Sequence, residues 1–278
     1  MKENILKEYI MEELILTIRS IGFLDYMWIV GREELISTGH LGRDELKLFF
    51  LYKESENVLP EEGFVPGCGF SSDFTASFLQ ELVRNAPQHV RFEPLSVERH
   101  NISLEVYYDS MYVPVTIYIS PERRENIVPA RMNMELPVHE ETVSILCYPI
   151  EQEAALHFFI ILKELELINE MEHYYYFYKI FKTYTIDGVR FQNALATLLD
   201  ENKIPIDDRR WQLLMSYGSY SYMKNKWRNW IKRQDNLSLD WSEVHNIVEI
   251  AVSPIREAIL ENRHFFGDWM PDLMRYLV

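Results

Sequence analysis

The chain has 278 residues, 47% hydrophobic and 14% aromatic, long enough to bury a large core in one big domain or two small ones. Lys and Arg number 28 against 43 Asp and Glu, a formal net charge of −15. That balance argues against a general nucleic-acid or anionic-membrane binder, while leaving room for a locally basic face. The two cysteines, Cys68 and Cys147, form neither a CxxC pair nor a zinc spacing, so reduced thiols in a cytoplasmic protein are expected.

Residues 3–20 place Leu6, Tyr9, Ile10, Leu14 and Ile18 at three- and four-residue steps, which predicts an amphipathic helix. Glu12 and Glu13 interrupt its apolar run and no small-residue cleavage site follows, so it does not read as a signal peptide. No apolar run approaches the roughly 18 residues of a membrane span. Gly22 ends the helix, and strand Tyr26 to Val30, Gly31, a short helix and a strand from about Glu45 to Leu51 follow. Residues 53–72 hold three glycines and two prolines and read as a long loop, with Ser72 as N-cap of a helix over 73–85.

Strands are expected at 89–96, 102–108 and 113–120, the last two as a hairpin turning at Asp109 and Ser110. Residues 121–138 read as a proline-punctuated connector, and a short strand over 143–147 closes the sheet. After Pro149 the pattern turns helical: 150–168, 171–184, 188–201, 207–233 with a break near Gly218, 240–262 capped by Asp240, and 267–277. The expected fold is α+β, a mixed-sheet domain over 1–149 followed by a helical domain over 150–278, with a cleft between them.

The stretch YMWIVGREELISTGHLGRDELKLFFLY, residues 26–52, carries the candidate chemistry. Asp44 and Glu45 stand where a strand begins, a place suited to metal-binding carboxylates in phosphoryl transfer. Lys47 lies two residues beyond Glu45, on the same strand face. Gly31, between a strand and a helix N-terminus, would let backbone amides approach a phosphate.

These segments resemble the AbiEii/AbiGii family of toxin nucleotidyltransferases, a branch of the polymerase-beta-like superfamily. VGREEL stands where that family has its glycine turn, RDELKLFF where it has its paired aspartates, and ISLEVYY, with Glu105, where a third carboxylate is expected. IEQEAAL, EHYYYFY and the stretch from Lys226 to Ile255 match its helical half in order and spacing. The resemblance implies a nucleotidyltransferase-like fold of toxin–antitoxin or phage-defence type, transferring nucleotides to RNA acceptors such as tRNA in some members, with magnesium and a nucleoside triphosphate if active.

The departures fall on the implied site. Arg32 replaces the second glycine, Glu45 and Lys47 the paired aspartates, Gln152 a phosphate-binding lysine, and His173 and Tyr176 two later aspartates. One expectation is a degenerate member, a pseudoenzyme without cofactor, in which Lys47 takes the metal's place and pairs with Glu45 or Glu105. A second leaves Lys47 on a solvated sheet face. A third keeps Asp44, Glu45 and Glu105 as magnesium ligands in a shifted register.

Two other stretches bear on partners, which also include a protein such as an antitoxin or paralogue. In residues 173–184 Tyr174, Phe177, Tyr178 and Phe181 are expected to pack inward, with Tyr175 and Tyr176 turned elsewhere as a base-stacking alternative. Residues 203–234 hold eight basic and two acidic residues with Trp211, Trp227 and Trp230 interleaved, read as helix-packing anchors with RNA contact as the alternative. The eight histidines include no HExxH pair, and His40 reads as a lone loop histidine.

Overall fold

Each half of the chain follows its own period in the computed structural model, which describes residues 3–36, 45–53, 72–124, 127–234 and 237–277. The expectations for Asp44, His40, Cys68 and the loop over 54–71 lie outside the described residues. The chain divides into two units, Met1–Tyr148 and Pro149–Val278.

The first unit is built on a seven-stranded mixed sheet. Its elements are α1 (Glu3–Ser20), β1 (Met27–Val30), α2 (Arg32–Ile36), β2 (Leu46–Lys53), α3 (Ser72–Arg84), β3 (Val90–Val97), β4 (Asn101–Tyr108), β5 (Met111–Glu122), β6 (Ala130–Leu136) and β7 (Glu141–Cys147). The strand order is β3-β4-β5-β2-β1-β7-β6. Period-two patterning sorts each strand's side chains between two faces. Along β2, Leu46, Leu48, Phe50 and Tyr52 are buried, whereas Lys47, Phe49, Leu51 and Lys53 take the other face. The buried set joins Ile102, Leu104, Ile117 and Ile145 from neighbouring strands and Ile10, Leu14 and Ile18 of α1 in one core. Each such side chain contributes about 1.5–3 kcal/mol relative to exposure.

The pairings fix what meets on the opposite face. Strand β2 runs antiparallel to β1 and parallel to β5, in register from Leu46↔Val115 to Lys53↔Glu122. Strands β4 and β5 form the expected hairpin, Tyr108 opposite Met111, with Asp109 at φ 55° in its two-residue turn. On this second face Trp28, Ile127 and Tyr148 form a small cluster with Val30, Leu51 and Leu146. Arg124 ties the adjoining loop down through Glu122 (2.8 Å) and the Tyr148 hydroxyl.

One expectation here is corrected. The connector read over 121–138 contains β6, which pairs antiparallel with β7 along its whole length. ARMNMEL does alternate, Met132, Met134 and Leu136 turned inward between exposed Arg131, Asn133 and Glu135, but Pro129 and Pro137 on either side make it read as a connector.

The second unit holds α4 (Ile150–Glu164), α5 (Glu172–Thr183), β8 (Ile186–Asp187), α6 (Gly188–Glu201), α7 (Asp208–Ser216), α8 (Ser221–Ile231), α9 (Trp241–Leu260), β9 (Asp268–Met270) and β10 (Arg275–Leu277). Asp187, Asp207 and Asp240 cap α6, α7 and α9 by accepting backbone N–H bonds of 2.9, 2.8 and 2.7 Å. The break expected near Gly218 separates α7 from α8. The helix expected over 267–277 is instead a short hairpin, β9 and β10, added to β8 as a three-stranded sheet. Trp269 is wholly buried there, its indole N–H donating to Phe181 O at 2.6 Å, so one tertiary anchor overrides the local helical pattern.

Candidate functional site

Chain direction gathers the residues of the opening stretch at one end of the sheet. Because β1 and β2 are antiparallel, Gly31 after β1 lies at the same end as Glu45 before β2. Because β5 is parallel to β2, its first half lies there too, and Thr116 stands beside Lys47. Strand β4 adds Ser103 opposite Thr116.

Glu45 is held from two sides. Lys47 Nζ lies 3.8 Å from its Oε2, and the Thr116 hydroxyl donates to its Oε1. Ser103 Oγ is 3.5 Å from Thr116 Oγ1, extending the hydroxyl pair. The side chains of Lys47 and Glu45 remain 43% and 36% exposed, so the ion pair contributes on the order of 0.2–1 kcal/mol. Its chemical consequence is larger than its stability. The carboxylate has an ammonium at one oxygen and a hydroxyl donor at the other, and the ammonium repels any approaching cation. Next along this face Phe49 stacks flat on Tyr118, centroids 4.7 Å apart and planes 6° apart.

Glu105 does not join this pair as expected. The strand adjoining β2 is β5, and Glu105 lies one strand further, on β4, opposite Pro114 and Glu93. Two strand spacings, about 10 Å, separate β4 from β2. Glu105 Oε2 accepts instead from the Tyr107 hydroxyl at 2.6 Å, and that bond pushes the phenol up to about 12. Arg91 covers the Tyr107 ring at 4.6 Å and pairs with Glu93 at 3.1 Å.

Magnesium requires short oxygen contacts in near-octahedral geometry, usually with one or two carboxylates. Among the described residues no three His, Cys, Asp or Glu side chains are placed to share an ion. Of the carboxylates named for such an ion, Glu45 stands beside a lysine and Glu105 lies two strands away.

Gly31 adopts φ 81°, a conformation that favours glycine, and starts α2, whose Leu35 N–H donates to Gly31 O at 2.9 Å. Arg32 and Glu33 behind it are buried, at 8% and 3% exposure. Gln152 belongs to the second unit, in the first turn of α4, its N–H bonded to Pro149 O at 3.0 Å.

The aromatic run lies on α5, and all of Tyr174, Tyr175, Tyr176, Phe177, Tyr178 and Phe181 are buried. The base-stacking alternative for Tyr175 and Tyr176 is therefore overturned. With seven of its twelve side chains buried, α5 is central to its unit and packs against α4 and α9. His157 and His173 meet there, Nδ1 to Nδ1 at 3.0 Å. Burial drives the His157 imidazole down to about 3 and also lowers His173, so both are neutral near pH 7.

Residues 203–234 separate into two roles. Lys226 and Arg210 are spent inside the unit, on the carbonyls of Glu166 (2.9 Å) and Leu162 (2.9 Å). Trp227 is buried with its indole bonded to Leu239 O at 2.9 Å, a packing anchor as expected. Lys224, Arg228 and Lys232 recur every four residues on the outer face of α8, exposed beside Asn225, Asn229 and Arg233. Tyr220 and Tyr222, each 47% exposed, lie at its N-terminal end. No acidic residue occurs between Asp208 and Asp235. The bonds from Ser242, and to a lesser extent the charge of Lys224, hold the Asp240 carboxyl below its ordinary value.

Thr116 is the residue that sequence reasoning missed. Its signal was a small hydroxyl between the core residues Val115 and Ile117, on a strand whose partner could not be read locally.

No protein-family model matches the chain, and no curated protein matches it in sequence. Solved structures do. JHP933 from Helicobacter pylori aligns with a TM-score of 0.54 at 11% identity, over 94% of this chain and 95% of that one. A Helicobacter pylori protein provisionally described as a nucleotidyltransferase aligns with a TM-score of 0.54 at 11% identity, over 95% and 100%. The Mycobacterium tuberculosis nucleotidyltransferase toxin MenT4 aligns with a TM-score of 0.48 at 9% identity, over 94% and 93%. The chain is α+β and has a nucleotidyltransferase-like fold. Among the described residues no helix is long and apolar enough to cross a membrane.

Proposed function

We propose that this chain is a divergent nucleotidyltransferase-fold protein of toxin–antitoxin or phage-defence type whose transferase chemistry is weak or absent, and which acts by binding a partner or a nucleotide. The observation that carries this reading is the double engagement of Glu45, by Lys47 at 3.8 Å and by the Thr116 hydroxyl. An ammonium beside the carboxylate offsets its charge and repels a divalent ion. The toxin–antitoxin or phage-defence setting rests on the AbiEii-like order and spacing of segments along the chain, and an antitoxin or paralogue is the protein partner it implies.

The competing reading is an active magnesium-dependent transferase acting on an RNA acceptor, with Asp44, Glu45 and Glu105 as ligands. The separation of Glu105 from Glu45 by β5 counts against it. Thermal melting with magnesium and each of the four nucleoside triphosphates separates the two readings. A binding protein shows no magnesium-dependent shift and incorporates no labelled nucleotide into tRNA; incorporation above background sinks the first reading.

RNA contact has an observation of its own in either case. The α8 face presents Lys224, Arg228 and Lys232 with exposed Tyr220 and Tyr222, a spacing suited to phosphates and unstacked bases. The −15 net charge means that such contact needs a locally basic surface of this kind.

A further inference from the structure

Glu12 and Glu13 sit within the apolar run of α1, where ionised side chains are costly unless paired. Glu12 is wholly buried and Glu13 nearly so. Their partners come from two turns. Between β6 and β7, Val138 N donates to Glu12 Oε1 at 3.0 Å and His139 N to Glu12 Oε2 at 2.9 Å. The His139 ring then spans the two acids, Nδ1 to Glu12 Oε2 at 2.7 Å and Nε2 to Glu13 Oε1 at 2.9 Å. From the turn before β3, His89 Nε2 reaches the same Glu13 oxygen at 2.7 Å. Tyr9 stacks on the His139 ring at 5.3 Å, edges onto Tyr108 at 4.8 Å and hydrogen-bonds Glu13. Nearer solvent, Arg19 of α1 pairs with Glu141 at 3.2 Å.

A neutral imidazole has one N–H and one lone pair, so it can donate to only one carboxylate. His139 faces a carboxylate oxygen at each nitrogen and satisfies both only as imidazolium. The attachment matters because of the register. Only Trp28↔Leu146 and Ile29↔Cys147 join β7 to β1, so the β6–β7 tip extends beyond that contact. Among the described residues its polar ties to α1 include this cluster and the Arg19–Glu141 pair.

We propose that the Glu12–His139–Glu13–His89 chain is a proton-operated clamp, which holds the β6–β7 hairpin on α1 while His139 carries both ring protons and loosens it when one leaves. Losing that proton turns a lone pair toward a buried carboxylate and strips it of a donor. Burial opposes the charge on His139, but its bonds to Glu12 and Glu13 outweigh burial and hold its pKa above the ordinary 6.5. Burial likewise opposes ionisation of Glu13, and the bonds from His89, His139 and Tyr9 hold it below the ordinary 4.5.

Each direction sets its own pH limit. A raised histidine gives stability that is complete below 6.5 and lost as pH rises through its folded value. A lowered carboxylate gives stability that is complete above 4.5 and lost as pH falls through its folded value. The clamp is therefore closed between those limits and opens on either side.

The test uses the whole chain in two measurements. In nuclear magnetic resonance of the wild-type protein, both ring nitrogens of His139 should be protonated at pH 6 and its midpoint should lie above 6.5. A midpoint at or below 6.5 overturns the clamp. In hydrogen exchange, protection of the 137–140 turn should fall about tenfold per pH unit past that midpoint, the slope of a one-proton link, while β2 and β5 hold theirs. His139→Gln should remove that extra slope; an unchanged slope in this variant, or its absence from wild type, also overturns it. The magnetic resonance measurement decides the matter if the variant does not fold.

Discussion

Lys47 and Thr116 are register partners on parallel strands, and both reach the carboxylate of Glu45, one as a cation and one as a hydrogen-bond donor. Together they offset the charge of the acid and hydrogen-bond one of its oxygens. Lys47→Asp removes the cation and sets two carboxylates two residues apart on one strand face. Without metal the variant should melt about 2–4 °C lower, reflecting roughly 1 kcal/mol of like-charge repulsion. With millimolar magnesium it should regain that loss, whereas wild type should not respond. Differential scanning calorimetry with and without magnesium checks this, and an equal response of both proteins would show that Lys47 does not guard the site.

The α8 face makes a separate prediction. Replacing Lys224, Arg228 and Lys232 by Gln should weaken binding of a single-stranded RNA and lower the slope of log affinity against log salt by about 2, from roughly 0.7 for each phosphate no longer neutralised. Their exposure makes a folding defect small. Fluorescence anisotropy at four salt concentrations measures the slope; an unchanged slope excludes this face as the RNA contact.

The second unit should be acid-sensitive because of His157. Burial and the neighbouring His173 hold its pKa at about 3, while in the unfolded chain it returns to the ordinary 6.5. As pH falls below 6.5 the unfolded chain takes up a proton that the folded unit refuses, so stability declines steadily toward pH 3. The loss accumulates to about 4 kcal/mol, in the same direction as that from His173. Urea midpoints of wild type and His157→Gln between pH 7 and 4 should converge as pH falls. A parallel decline in both would assign the acid sensitivity elsewhere.

Gly188 opens α6 against a backbone that cannot retreat. A Cβ at this position would lie 2.1 Å from Gly267 O and 2.7 Å from the Phe265 ring. Gly188→Ala should cost about 3 kcal/mol and loosen the β8–β9 pairing. Thermal melting gives the first quantity and hydrogen exchange of the segment around Trp269 the second.

Strong periodicity and turn chemistry made much of this fold legible. The apolar steps of α1, the alternation in β4 and β5 with their Asp109–Ser110 turn, the Asp240 cap and the break at Gly218 all follow from residues close in sequence. What escaped depends on distant partners. Strand β6 alternates over only a few residues between Pro129 and Pro137 and is fixed by its pairing with β7, and β9 and β10 form because Trp269 finds a buried socket beside Phe181. The candidate site divides in the same way. The Glu45–Lys47 pair follows from a period of two on one strand, whereas the placement of Thr116 rather than Glu105 beside them follows from strand order.

The parallel seam between β2 and β5 also bears on how the first unit folds. Strands β3, β4 and β5 form a continuous meander, and β6 and β7 a hairpin, all closing over short loops. Glu45 and Thr116 are 71 residues apart, so their contact must close a far longer loop. The hairpins can zip early, and the site exists only once β1 and β2 have slotted between them. On a ribosome, nothing resembling it can form until the end of β5 has emerged, and under mild denaturation it should vanish while the hairpins on either side still stand.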